Sequence, residues 1–86
     1  MAPTTDRGYI LNLLASGAIS AEEAWIVRWQ FGMLGDFQAA LFQLIARADE
    51  DNLVRLTVAF PEQVDAFLQW SRGGMAARLR ALGLDL

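Results

Sequence analysis

Apolar residues in this 86-residue chain recur at intervals of three and four, and glycines separate the blocks they form. That spacing lines side chains along one face of an α-helix, whereas a half-buried strand needs strict alternation, which is absent. Each short amphipathic helix must bury its stripe against another element. The expected fold is therefore all-α: a compact bundle of five to six short helices with an N-terminal helical hairpin, in a single domain over residues 1–86. A core is feasible at this length but thin. No cysteine is available to staple it.

The start and stop signals place the helices. Thr5 or Asp6 can cap the first, whose apolar stripe is Ile10, Leu13 and Leu14, and Gly17 provides a left-handed stop. Ser20 followed by Glu23 is a capping box for the second helix, and Ile19 and Ala24 stand at hydrophobic-staple positions. That helix carries Trp25, Ile26 and Trp29 and stops around Gly32. The phrase Leu13–Trp25 is thus a tight helical hairpin, similar to the helical pair of short oligomerisation domains. Asp36 is placed to cap the third helix, where Phe37, Leu41, Leu44, Ile45 and Ala48 share a face and Phe42 lies off it. The acidic run Asp49–Asp51 leads into a fourth helix bearing Leu53, Leu56 and Phe60. Pro61 suits the first position of a fifth helix, which carries Val64, Phe67, Leu68 and Ser71 and ends at Gly73-Gly74. Met75, Leu79 and Leu82 give a sixth over residues 75–82, closed by Gly83.

Leu41, Leu44, Ile45, Leu56, Phe60, Val64 and Phe67 are the expected core, built by helices three to five with the hairpin packed on it. Phe37 is also expected inside. Leu44→Ala should accordingly cost about 2–5 kcal/mol.

The chemistry available is narrow. The chain has no histidine, and so lacks the commonest general base and metal ligand. Ser16, Ser20 and Ser71 have no histidine or lysine to activate them. Glu22-Glu23 sits at a helix start, where acids favour the macrodipole. The run Asp49-Glu50-Asp51-Asn52 lacks the glycine and the closing glutamate of a calcium loop, and capping of the fourth helix accounts for it. Gly73-Gly74 is not followed by the Lys-Ser/Thr of a phosphate loop. No enzymatic activity, metal or cofactor is expected.

All seven basic residues are arginine, and with ten acids the formal net charge is −3, the wrong sign for a general nucleic-acid binder. Arg72, Arg78 and Arg80 gather near the C-terminus and are expected on a solvated face. The fifth helix offers Glu62 and Asp65, which repel phosphates. A net −3 is also thin for an acidic mimic of nucleic acid. No apolar run reaches the ~18–20 residues of a membrane span, and the N-terminus lacks a secretory pattern, so the expectation is a cytoplasmic protein with no membrane partner.

The nine aromatic residues point to contact as the function. Trp25 and Trp29 lie one turn apart on one face of the second helix, while Ile26 occupies another. Phe42 and Val58 lie off their helices' main stripes. Apolar surface in such excess marks interfaces, where Trp and Arg are frequent anchors. The candidate protein-binding residues are Trp25, Trp29, Phe42 and Trp70, with Arg28, Asp49, Glu50 and Asp51 at the rim. The alternative is that a compact six-helix fold surrounds the second helix and covers these side chains.

The segment Phe37–Trp70 resembles a family of small phage and prophage proteins. The pattern is carried by Phe37, Ala40-Leu41, Ala48-Asp49, Asn52-Leu53, Arg55-Leu56, Phe60-Pro61 and Trp70, over about two fifths of the chain. The resemblance implies a mobile-element origin and no particular activity. Small phage proteins of this length include inhibitors of host defence, anti-CRISPR proteins among them, which act by occupying a surface of a larger complex. The expectation is therefore a non-enzymatic inhibitor in the bacterial cytoplasm whose partner is a host protein complex, such as a CRISPR effector subunit. Its rivals are a homo-oligomeric structural module, with homodimers as its partner state, and a small nucleic-acid-associated regulator using Arg72, Arg78 and Arg80.

Overall fold

The computed structural model describes residues 2–86, and these form six α-helices: α1 (Arg7–Ala15), α2 (Ala21–Gln30), α3 (Asp36–Arg47), α4 (Glu50–Ala59), α5 (Pro61–Arg72) and α6 (Met75–Ala81). The all-helical expectation holds, and among the described residues no helix is long and apolar enough to cross a membrane. Local chemistry sets most of the ends. Asp6 caps α1 by accepting from the Tyr9 amide, and Asp49 caps α4 by accepting from the Asn52 amide at 2.8 Å. Ser20 and Glu23 form both halves of the capping box on α2. Pro61 opens α5 at a position where no amide is needed. Asp36 is different. It is the first residue of α3 rather than its cap; Gly35 is the cap, with no side-chain bond.

Helix α5 is the centre of the architecture. It packs most extensively on α2, then on α4, α3 and α6. Helices α1 and α2 share no comparable pairing; α1 joins the core instead through Ile10 and Leu13. Two apolar clusters result. The larger unites Ile10, Leu13, Ile26, Val27, Phe42, Ala66, Met75, Leu79 and Leu84, with Trp25, Trp29 and Trp70 packed half-buried against it. The smaller is Leu41, Ile45 and Val64, with Leu53, Leu56 and Phe60 against it. Phe67 touches both clusters. The chain is elongated, with extents of 42 × 25 × 20 Å and a radius of gyration of 13.1 Å, against about 12 Å for a sphere-like domain of this length.

The main core thus lies elsewhere than expected. Leu41, Ile45 and Val64 are buried as anticipated, and Leu56, Phe60 and Phe67 are half-buried. Leu44 is 55% exposed and Phe37 65% exposed, so neither is core. Phe42, expected off the stripe, is instead the largest completely buried side chain. At 100° per residue the buried face of α3 is turned about 60° from the predicted stripe. The cause is aromatic packing. The Phe42 ring lies 5.3 Å from Trp29, stacked, and 6.0 Å from Trp25, while Trp29 meets Phe67 at 6.1 Å. Turning Phe42 into this cluster rotates Phe37 and Leu44 outward.

Two long-range ties close the fold. Glu23 is buried, and its Oε2 accepts from Arg78 Nε at 2.5 Å while its Oε1 accepts from the Ser20 amide at 2.8 Å. Arg78 Nη2 also donates to the Ala18 carbonyl at 3.0 Å, fastening α6 to the start of α2. Burial alone pushes the Glu23 carboxyl up. The hydrogen bonds from Arg78 and Ser20 and the guanidinium charge outweigh it and hold the group below its ordinary value. The second tie joins the chain ends. The Thr4 amide donates to the Gly83 carbonyl at 2.8 Å and the Asp85 amide to the Thr4 carbonyl at 2.9 Å, a single parallel bridge. The Tyr9 hydroxyl donates to the Leu82 carbonyl beside it.

Candidate functional site

Helices α3 and α4 both lie on α5 but do not pack extensively on each other. Between them runs an apolar groove of about 310 Å³ lined by Phe37, Ala40, Leu41, Leu44, Leu56 and Phe60. Its floor is the buried Leu41, and the Phe37 and Phe60 rings, 6.0 Å apart, form one end. At Leu44 and Leu56 the groove runs into a second depression of about 370 Å³, whose other walls are Arg47, Ala48, Asp49, Asn52 and Arg55. The sequence creates this shape directly. Helix α3 carries apolar residues over a wider arc than one partner helix can cover, and α4 has no buried residue at all.

The polar end has a defined electrostatic character. Asp49 is committed to capping α4. Arg55 donates from Nη1 to Asn52 Oδ1 at 3.1 Å. Neither Arg47 nor Arg55 has a carboxylate within ion-pair distance among the described residues. Two guanidiniums therefore face one carboxylate that is already engaged.

The residues singled out from sequence are distributed differently. Trp25, Trp29 and Phe42 come together, as an internal aromatic cluster. Phe42 is fully buried and cannot anchor an interface as expected; the faces of Trp25 and Trp29 that meet it are likewise committed to the core. Trp70 packs on the same core, and Arg28 is half-buried on α2. Asp49, Glu50 and Asp51 occupy the start of α4, with Glu50 3.6 Å from Arg72 in an exposed pair worth little. The C-terminal arginines are exposed, as expected, and each also makes a contact. Arg72 meets Glu50, Arg78 holds the buried Glu23, and Arg80 Nε donates to the Leu86 carbonyl at 3.0 Å. Val58 is 83% exposed, in keeping with its place off the α4 stripe.

The groove residues Phe37, Leu44, Arg47 and Leu56 were absent from the expected site. A signal existed: Phe37 and Leu44 sit nearly opposite Phe42 on a helical projection, so one partner helix cannot bury all three. No group of three or more His, Cys, Asp or Glu residues able to hold a metal occurs among the described residues. Every buried side-chain nitrogen and oxygen among them is hydrogen-bonded. What the groove offers is apolar contact with a cationic end. Comparison with protein-family models, curated proteins and solved structures finds no match for the chain.

Proposed function

We propose that the chain is a non-enzymatic binding protein that works by seating part of another protein against the α3–α4 groove. One observation carries this reading: Phe37 and Leu44, 65% and 55% exposed, stand on the walls of a continuous apolar groove in so small a domain. Scattered exposed apolar residues are ordinary; a contiguous concave patch of them is favourable to cover and marks interaction surfaces. The finer proposal is an inhibitor that occupies a surface of a host defence complex. Its support is the resemblance to small phage proteins, whose pattern positions Phe37, Ala40, Leu41, Asp49, Asn52, Arg55, Leu56 and Phe60 line the groove and its polar end.

The test is a paired affinity capture from host lysate with the wild-type chain and with Phe37→Ser/Leu44→Ser, both checked by circular dichroism. Proteins retained by the wild type and lost by the folded double variant support the reading, and a defence-complex subunit among them supports the finer one. Identical capture by both chains refutes the groove as the site.

A further inference from the structure

We propose that the occupant of the α3–α4 groove is an amphipathic α-helix of a partner protein, bearing acidic residues at the end that lies over Arg47 and Arg55. This deepens the binding reading above and rests on it.

The helical form follows from the walls. Phe37, Ala40, Leu41, Leu44, Leu56 and Phe60 present only carbon to the groove. The backbone groups of α3 and α4 are taken up within their own helices, and no sheet edge is present among the described residues to receive an added strand. An extended segment laid here would bury amides and carbonyls with nothing to bond them, which costs free energy for each group. A helix satisfies its own backbone and offers only its apolar stripe. The dimensions agree. From Phe37 to Arg47 the wall is eleven residues of α3, ten steps of 1.5 Å or about 15 Å, roughly three turns. Apolar residues at i, i+3 or i+4, and i+7 on a partner helix span about 10.5 Å, the rise of the apolar part of the wall from Phe37 to Leu44.

The sign of charge follows from the polar end. Arg47 and Arg55 both line that end, and neither has a carboxylate partner among the described residues, in a chain whose net charge is −3. Asp49, the acid among them, already accepts from the Asn52 amide. Arg55 donates to the neutral Asn52 amide, so both guanidiniums still lack a carboxylate and are complementary to carboxylates arriving with the partner; arginine suits such bidentate contacts. The carboxylates would fix the register and direction of the helix in a groove whose apolar part alone does not distinguish them.

The experiment uses the full chain, labelled with nitrogen-15, and three synthetic 14-residue peptides. The first is helix-forming, with leucines at i, i+4 and i+7 and two glutamates at one end. The second replaces those glutamates by lysines. The third scrambles the first so that its leucines no longer share a face. The expected result is amide shifts confined to residues 37–60 with the first peptide, binding about tenfold weaker for the second, and no shifts with the third. Arg47→Ala/Arg55→Ala should remove the preference between the first two peptides while leaving leucine-dependent binding in place. Equal binding of the glutamate and lysine peptides overturns the charge assignment, and equal binding of the scrambled peptide overturns the helical one. Absence of shifts with all three at millimolar concentration overturns the helix as occupant. A concentration-dependent dimer mass abolished by Phe37→Ser/Leu44→Ser also overturns it, by giving the groove to a second copy. The lysate capture described above reads the broader proposal separately, because it does not depend on the partner's secondary structure.

Discussion

Phe42→Ala removes the largest side chain that the fold buries completely, from between Trp25 and Trp29. Deleting a fully buried phenyl ring loses its transfer free energy and leaves a cavity, together about 3–5 kcal/mol. At roughly 0.05–0.15 kcal/mol per residue, 86 residues give a total stability of about 4–13 kcal/mol, so the loss is a large share of it. An unfolding entropy of about 2.1 cal/mol/K per residue gives about 0.18 kcal/mol/K for the chain, and a loss of about 4 kcal/mol lowers Tm by about 20 °C. Leu44→Ala is the matched control. Leu44 is 55% exposed, so less than half of the ~1.5–3 kcal/mol of a fully buried leucine is at stake, about 1 kcal/mol or some 5 °C. Urea unfolding followed by tryptophan fluorescence and by far-ultraviolet circular dichroism measures both variants. The fluorescence of Phe42→Ala should also change in the native state, because two of the three indoles lose their neighbour. If Leu44→Ala proves as costly as Phe42→Ala, the rotation of α3 described above is wrong and the groove does not exist.

Further outcomes follow from particular contacts. Ser20→Ala removes the side-chain acceptor of the Glu23 amide and should lower the urea-derived stability by about 1 kcal/mol. The Glu23 carboxyl is held below its ordinary value of 4.5, so its contribution is complete above pH 4.5 and is lost as the pH falls through the lower folded value. The urea midpoint of the wild type should therefore drop more steeply below pH 4.5 than that of Glu23→Gln, and parallel curves would contradict the assignment. Gly83 has φ +96°, where an L-residue is strained, and a Cβ there stands 3.4 Å from the Tyr9 hydroxyl. Gly83→Ala should destabilise by about 1–2 kcal/mol in thermal melts. Tyr9→Phe should cost about 0.5–1.5 kcal/mol through the lost bond to the Leu82 carbonyl.

What the sequence made legible is what neighbouring residues decide among themselves. The Ser20–Glu23 box, the Asp49 cap and Pro61 at the head of α5 each act within one turn, and each is found where its residues imply. The orientation of α3 is not a local matter. Its apolar residues cover so much of the helix that several stripes are possible, and the choice is made by Trp25 and Trp29 on another helix. The Glu23–Arg78 pair spans 55 positions and has no local mark either. For the same reason the aromatic residues suggested an interface at Trp25, Trp29 and Phe42, when these side chains were competing for the interior. The exposed surface passed to Phe37 and Leu44, which a single-stripe reading assigns to the core. Of the residues that line the groove and its polar end, the sequence marks only Asp49 as a binding residue, and its part there is to cap α4.

The bridge between Thr4 and Leu84 places the two ends of the folded unit side by side. Polypeptide entering before Thr4 and leaving after Asp85 therefore passes through one small spot on the surface, remote in sequence from α3 and α4. The unit has the connectivity of a cassette, able to sit within a surface loop of a host protein without pulling the host's flanking strands apart. Fluorophores attached at the two ends of such a cassette would report its unfolding as a fall in energy transfer, because only the folded helices hold the ends together.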